Sequence, residues 1–178
     1  MKTVDVAIIG GGVMGASKFY ALTYTTAERV ILLEKYADAG LVTSNMRNNS
    51  QTLHRGEIET NFTLEKALHV RQLADHTKRY LEQHDPEGLM HSAYQKMVIG
   101  VGTEEVSGLE ARFREFSPHY PNMRYLGFDE IGELEPNVTR GRTSRELSAI
   151  YSAEGFAVDY GATAQSFRGC CKIKCQIS

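Results

Sequence analysis

Val4-Asp5-Val6-Ala7-Ile8-Ile9-Gly10-Gly11-Gly12-Val13-Met14-Gly15, then a helical pattern, then Arg29-Val30-Ile31-Leu32-Leu33-Glu34, decide how this chain is read. The order is strand, glycine turn, helix, strand, acid, which is the dinucleotide-binding fingerprint with its context. Gly10 suits the tight turn out of the first strand. Gly12 lacks a side chain, so a pyrophosphate can approach the backbone, and Gly15 lets the helix lie close to the sheet. The helix start offers unpaired N–H groups and a partial positive charge to phosphates. Glu34 stands where a carboxylate accepts hydrogen bonds from a ribose 2′-hydroxyl and repels a 2′-phosphate, which disfavours NADP. The bland alternatives are a glycine turn of an unrelated fold and a solvated acid. The flanking strands and the spacing weigh against both.

Outward from this corner, the first helix is expected over residues 13–24, with Phe19 and Leu22 against the sheet and Thr23, Thr25 and Thr26 weakening its end. Residues 35–53 are polar and aperiodic, and a loop this long in a compact domain is usually functional or disordered. Its uncharged donors and acceptors suit phosphates, ribityl hydroxyls and ring carbonyls. Residues 54–61 set His54, Arg55, Glu57 and Glu59 around Gly56. A histidine can move a proton near neutral pH and an arginine can hold a carboxylate, although a solvated charged turn reads equally well.

The remaining pattern is α+β. Residues 63–81 form an amphipathic helix with Leu64, Ala67, Leu68, the Arg71 stem, Ala74 and Leu81 on one face. Its His69 and His76 read as exposed side chains rather than metal ligands. Pro86 and Gly88 close this region. Residues 95–101, 123–127 and 147–151 read as strands. Val106, Leu109, Phe113 and Phe116 form a core stripe, Pro136 stops a short helix, and Asp159 caps a helix over 160–167.

A length of 178 residues allows a real core, and 42% hydrophobic with 24% charged residues is ordinary for a globular protein. A net charge of −2 leaves no basic footprint, so nucleic acid is not an expected partner. No apolar run approaches the roughly twenty residues of a membrane span. A strand starting at Val4 leaves no room for a signal peptide, so the expected location is the cytoplasm, with peripheral attachment to the inner face of the membrane compatible. Cys170, Cys171 and Cys175 match neither a zinc nor a disulfide pattern and read as free thiols. Residues 168–178 break from the preceding pattern, as a chain end cut short or read out of frame would.

Three stretches together resemble the N-terminal part of the malate:quinone oxidoreductases. They are the glycine corner with Glu34, Asn48-Asn49-Ser50-Gln51-Thr52-Leu53-His54, and Ile58-Glu59-Thr60-Asn61-Phe62-Thr63. Leu134-Glu135-Pro136 and Gly155-Phe156-Ala157-Val158-Asp159 resemble the wider group of flavin-dependent amino- and hydroxy-acid oxidoreductases. The similarity runs over residues 4–167, and members of the family are much longer than this chain. The resemblance implies an FAD-dependent enzyme of the tricarboxylic acid cycle that oxidises (S)-malate to oxaloacetate and passes the electrons to quinone at the membrane surface.

The implied fold is α/β: a Rossmann-like FAD-binding βαβ unit with part of an α+β substrate domain, truncated. The expected division is 1–60 for the FAD-binding part, 61–167 for the partial substrate or cap domain, and 168–178 for an atypical tail. Gly10, Gly12, Gly15 and Glu34 would hold the ADP half of FAD. Gly11, Val13, Met14 and Lys35 join them in the candidate cofactor-binding set, and Ser44, Asn48, Asn49, Ser50 and Gln51 would lie nearer the ribityl chain and ring. His54 is the candidate for proton transfer, and the main base and the substrate arginines are expected in the part of the family that this chain lacks. The competing readings are another FAD-dependent hydroxy- or amino-acid oxidoreductase, a nicotinamide-dependent dehydrogenase, and an inactive remnant. The long polar segment after Glu34 argues against the dehydrogenase, whose chain returns soon to a third strand.

Overall fold

The computed structural model describes residues 3–25 and 29–169. Thr26 and the three cysteines lie outside the described residues. The chain divides into two compact units.

The first unit holds the described residues up to Thr52, Glu87–His91 and the chain from Val158 onward. Strand β1 (Val6–Ile9), helix α1 (Val13–Tyr24) and strand β2 (Val30–Leu33) follow the fingerprint. β1 and β2 pair in parallel, with Val6 opposite Val30 and Ile9 opposite Leu33. Strand residues alternate faces, so Val30 and Leu32 share a side. On that side they are buried against fully buried Phe19, with Val6, Ile8 and Leu22 packed around them. This is the contact the helical spacing of Phe19 and Leu22 predicts. Ile9, at the end of β1, is 86% exposed.

The second unit holds Leu53–Pro86 and Ser92–Ala157. Its elements are α2 (Leu64–His84), β3 (His91–Val101), α3 (Gly102–Phe116), β4 (Met123–Gly127), α4 (Phe128–Leu134), α5 (Pro136–Thr139) and β5 (Leu147–Val158). The sheet order is β3-β5-β4, with β4 and β5 antiparallel. Thr63 caps α2 by accepting the Lys66 N–H at 3.3 Å. The apolar stripe of α3 supplies Leu109, Phe113 and Phe116 to a core with Ala67, Tyr120, Met123 and Ile150. Pro136 ends α4 and also starts α5, because a proline fits the first helical position where no N–H is needed.

Several elements run further than the sequence pattern. α2 reaches His84, β3 begins at His91, β5 continues to Val158, and the last helix, α6 (Tyr160–Gly169), passes residue 167. β5 gains its length by flanking pairing: Leu53 N–H donates to Phe156 O and Val158 N–H donates to Gln51 O. The expected division at residue 60 also differs from the two units. Residues 53–60 belong to the second, because Gly56 lies against the Ala67 backbone of α2 and Arg55 pairs with Asp75 and Glu154. α6 belongs to the first, where Phe167 packs on Tyr20 of α1 at 5.3 Å between ring centroids.

Candidate functional site

A cavity of about 350 Å³ opens at the carboxyl ends of β1 and β2, where open parallel sheets bind ligands. It is lined by Ile9, Gly10, Gly12, Leu33, Glu34, Lys35, Tyr36 and residues 40–44. Gly10 turns the chain at φ +97°, a conformation that only glycine adopts without strain. Gly10 N–H donates to Leu33 O at 2.8 Å, which seats the turn on β2. At Gly15 a Cβ would stand 1.9 Å from the Gly10 carbonyl oxygen, so α1 can approach the turn only through glycine.

The end of β2 puts Glu34 beside this turn. Its Oε2 accepts the Gly11 N–H at 2.5 Å and its Oε1 accepts the Tyr36 N–H at 3.0 Å. These bonds, the one from Gly11 first, hold the Glu34 carboxyl below the usual carboxylate range. Ser44 Oγ accepts the Val13 N–H at 2.9 Å. The N–H groups of Gly12 and Met14, also at the start of α1, have no acceptor among the described residues. Two free amides, a glycine edge and a helix N-terminus make a concavity whose shape and polarity suit a diphosphate, and the acid beside it suits ribose hydroxyls. The residues present therefore fit the ADP half of a dinucleotide.

The structure thus brings together Gly10–Gly15, Glu34, Lys35 and Ser44, with Lys35 Nζ 4.9 Å over the Tyr36 ring. It does not bring Asn48, Asn49, Ser50 and Gln51 to the cavity. Asn48 Nδ2 donates to Val42 O at 2.7 Å, and Asn49 Nδ2 donates to Thr43 O and Asn45 O. Asn49 Oδ1 in turn accepts from the Gln51 backbone N–H and side-chain amide. Side-chain amides that satisfy backbone groups of their own loop shape it. Ser50 stays exposed, with its carbonyl accepting the Thr52 hydroxyl. Gln51 sits at φ +60°, and its carbonyl is the one taken by Val158.

Sequence reasoning missed Tyr36 and residues 40–43 as lining. Gly40, a lone glycine in a polar run, was the available signal.

In the second unit His54 is exposed, with Nδ1 2.7 Å from Glu59 Oε1. Its neighbours in sequence are no solvated turn. Arg55 is buried and donates to Glu154 at 2.8 Å and to Asp75 at 3.0 Å. Burial works against its charge, and the carboxylates of Glu154, Asp75 and Glu57 outweigh that and hold its pKa above the usual value. Glu57 and Lys96 form a buried ion contact at 2.8 Å. Burial also pushes the Tyr120 phenol up to about 12, while its hydroxyl donates to Arg55 O. Lys96 in the alternating strand β3 was the missed signal for this polar interior. Among the described residues no helix is long and apolar enough to cross a membrane.

Residues 5–172 match the profile of the family described as FAD dependent oxidoreductase. The chain is 41% identical over 167 residues to a probable malate:quinone oxidoreductase of Campylobacter jejuni, a match covering 88% of this chain and 37% of that protein. It is 36% identical over 157 residues to the malate:quinone oxidoreductase of Helicobacter pylori, covering 88% and 35%. Among solved structures, L-alpha-glycerophosphate oxidase from Mycoplasma pneumoniae with FAD bound superposes with a TM-score of 0.72 at 21% identity, over 100% of this chain and 45% of that one. Glycine oxidase from Geobacillus kaustophilus gives 0.68 at 22%, over 98% and 46%. These two likenesses establish the fold. The chain spans little more than a third of the length of the curated relatives it matches. It belongs to the FAD dependent oxidoreductase family.

Proposed function

We propose that this chain works in the FAD-dependent oxidation of (S)-malate to oxaloacetate, with the electrons passed to a quinone, and that its first unit holds the ADP half of FAD. The substrate assignment draws on the relatives at 36–41% identity, whose names carry malate and quinone. The single observation that carries the binding role is the cradle at the end of β1, with two free amides and the Glu34 carboxylate around one cavity.

FAD, when bound, supplies the two-electron acceptor for the hydride that leaves malate C2. The residues here do the holding. Gly10, Gly12 and Gly15 bring the backbone to the diphosphate, with Gly11, Val13 and Met14 completing the corner. Glu34 accepts the ribose hydroxyls, and Lys35 stands beside it at the mouth of the cavity. Ser44 fixes the start of α1 and faces the phosphates. Asn48, Asn49, Ser50 and Gln51 act through the shape of the loop. The second unit is part of a substrate-side domain, and the His54–Glu59 pair is its candidate for moving a proton. Quinones are lipid-soluble, so the whole protein is expected to touch a membrane peripherally, which co-sedimentation with lipid vesicles tests.

The decisive assay is malate-dependent reduction of a quinone-analogue dye by FAD-loaded protein, with glycine and glycerol phosphate as controls. Activity with malate alone supports the assignment. Dye reduction with glycine and none with malate overturns it in favour of another amino- or hydroxy-acid oxidoreductase.

A further inference from the structure

The cavity wall between Asp38 and Ser44 is held from behind by one face of α6. Gly161, Gln165 and Arg168 recur at helical spacing, so they share that face. Arg168 makes a two-pronged ion pair with Asp38, Nη1 to Oδ1 at 2.8 Å and Nη2 to Oδ2 at 3.3 Å. Both side chains are about two-thirds shielded, at 31% and 34% exposure. Gln165 Nε2 donates to Ala39 O at 3.2 Å. Gly40 adopts φ +74°, and a Cβ there would stand 2.6 Å from Gly161 O, so loop and helix meet backbone to backbone. Asp159 Oδ1 caps the helix start by accepting from Gly161 and Ala162.

On its other side the same loop is tied to the glycine corner. Gly40 N–H donates to Gly11 O at 2.9 Å, and Ser44 Oγ takes the Val13 N–H. Ala39 and Ser44 are buried although the segment has no regular structure.

We infer that the Gly161–Gln165–Arg168 face of α6 is a clamp that sets nucleotide affinity by holding loop 38–44 in the shape that completes the cradle. It rests on the reading of the glycine corner as an ADP site. Asp38, Gln165 and Arg168 are positioning residues and none of them lines the cavity. A ligand that needs the closed loop binds more weakly in proportion to the fraction of chains in which that loop is formed. A shielded bidentate pair is worth about 1 kcal/mol, so its loss lowers that fraction, and the ADP affinity with it, by up to about fivefold.

The test measures ADP binding by calorimetry on the 178-residue chain and its variants Asp38→Asn, Arg168→Gln and the double variant. Asp38→Asn keeps an acceptor for the Ala39 N–H, which the aspartate holds at 2.6 Å. Amide exchange at Gly40 is followed without ligand, and Phe167→Leu, which trims the ring contact of α6 with Tyr20 of α1, serves as the stability control. Each single variant is expected to weaken ADP binding by several-fold and to speed Gly40 exchange. The double variant should be no worse than the singles, because they remove one shared interaction. Phe167→Leu should lower the melting temperature and leave the ADP affinity unchanged. Unchanged affinity and exchange in the Asp38 and Arg168 variants overturn the clamp. So does an equal loss of affinity in Phe167→Leu, which would reduce it to general stability. An unaltered chain that binds no ADP overturns the cradle itself, and the clamp with it.

Discussion

Gly15→Ala is the sharpest perturbation of the corner. The added Cβ would sit 1.9 Å from the Gly10 carbonyl oxygen, whereas ordinary contact begins at 3.4 Å. The two backbones must therefore part by about 1.5 Å, and no flexible side chain can absorb the movement. Overpacking costs about 1–3 kcal/mol in general, and a backbone-to-backbone clash belongs at the upper end. For a chain of this length about 3 kcal/mol corresponds to roughly 6–12 °C in melting temperature. The displaced turn also carries the cradle away from its phosphate geometry, so ADP affinity should fall at least about tenfold.

Gly108→Ala is the control, in the interior of α3 with nothing within 4 Å of the added Cβ. It should raise stability by up to about 1 kcal/mol through helix propensity alone. The assay is calorimetric melting paired with ADP titration. A Gly15→Ala chain that melts and binds like its parent would refute the close approach of α1 to the β1 turn, and with it the physical reason for the glycine spacing.

Two further outcomes follow from the charged groups. The Gly11 and Tyr36 N–H groups lower the Glu34 pKa in the folded chain, so Glu34 adds stability at neutral pH that is lost as pH falls from the ordinary value of 4.5 through the folded one. A carboxyl NMR titration should place its midpoint below 4.5, and Glu34→Gln should abolish that share of the acid sensitivity; a midpoint at or above 4.5 contradicts the bonding described. At the buried Glu57–Lys96 pair, Lys96→Met strands a carboxylate in the interior and should cost about 3–5 kcal/mol in urea unfolding. Glu57→Gln together with Lys96→Met should recover part of that loss, and a double variant less stable than Lys96→Met alone would argue against the pairing.

The primary structure by itself determined the corner. A buried-type strand, glycines at 10, 12 and 15, and an acid after the second strand are local signals, because strand period, turn conformation and helix start each depend on neighbours in the chain. The same holds for Leu109, Phe113 and Phe116 of the α3 stripe, the Asp159 cap and the inward side of α1. Only the tertiary structure decided what contacts distant in sequence create. Asn48 and Asn49 carry the same donors whether they serve a ligand or their own loop, and which they serve depends on where Val42, Thr43 and Asn45 fold. Arg55, Glu57 and Lys96 look like surface residues until partners from α2, the 53–60 turn, β3 and β5 enclose them. Arg168 meets Asp38 across 130 positions of chain. A linear pattern encodes which face a side chain takes, but its partner is set by which elements come to rest against each other.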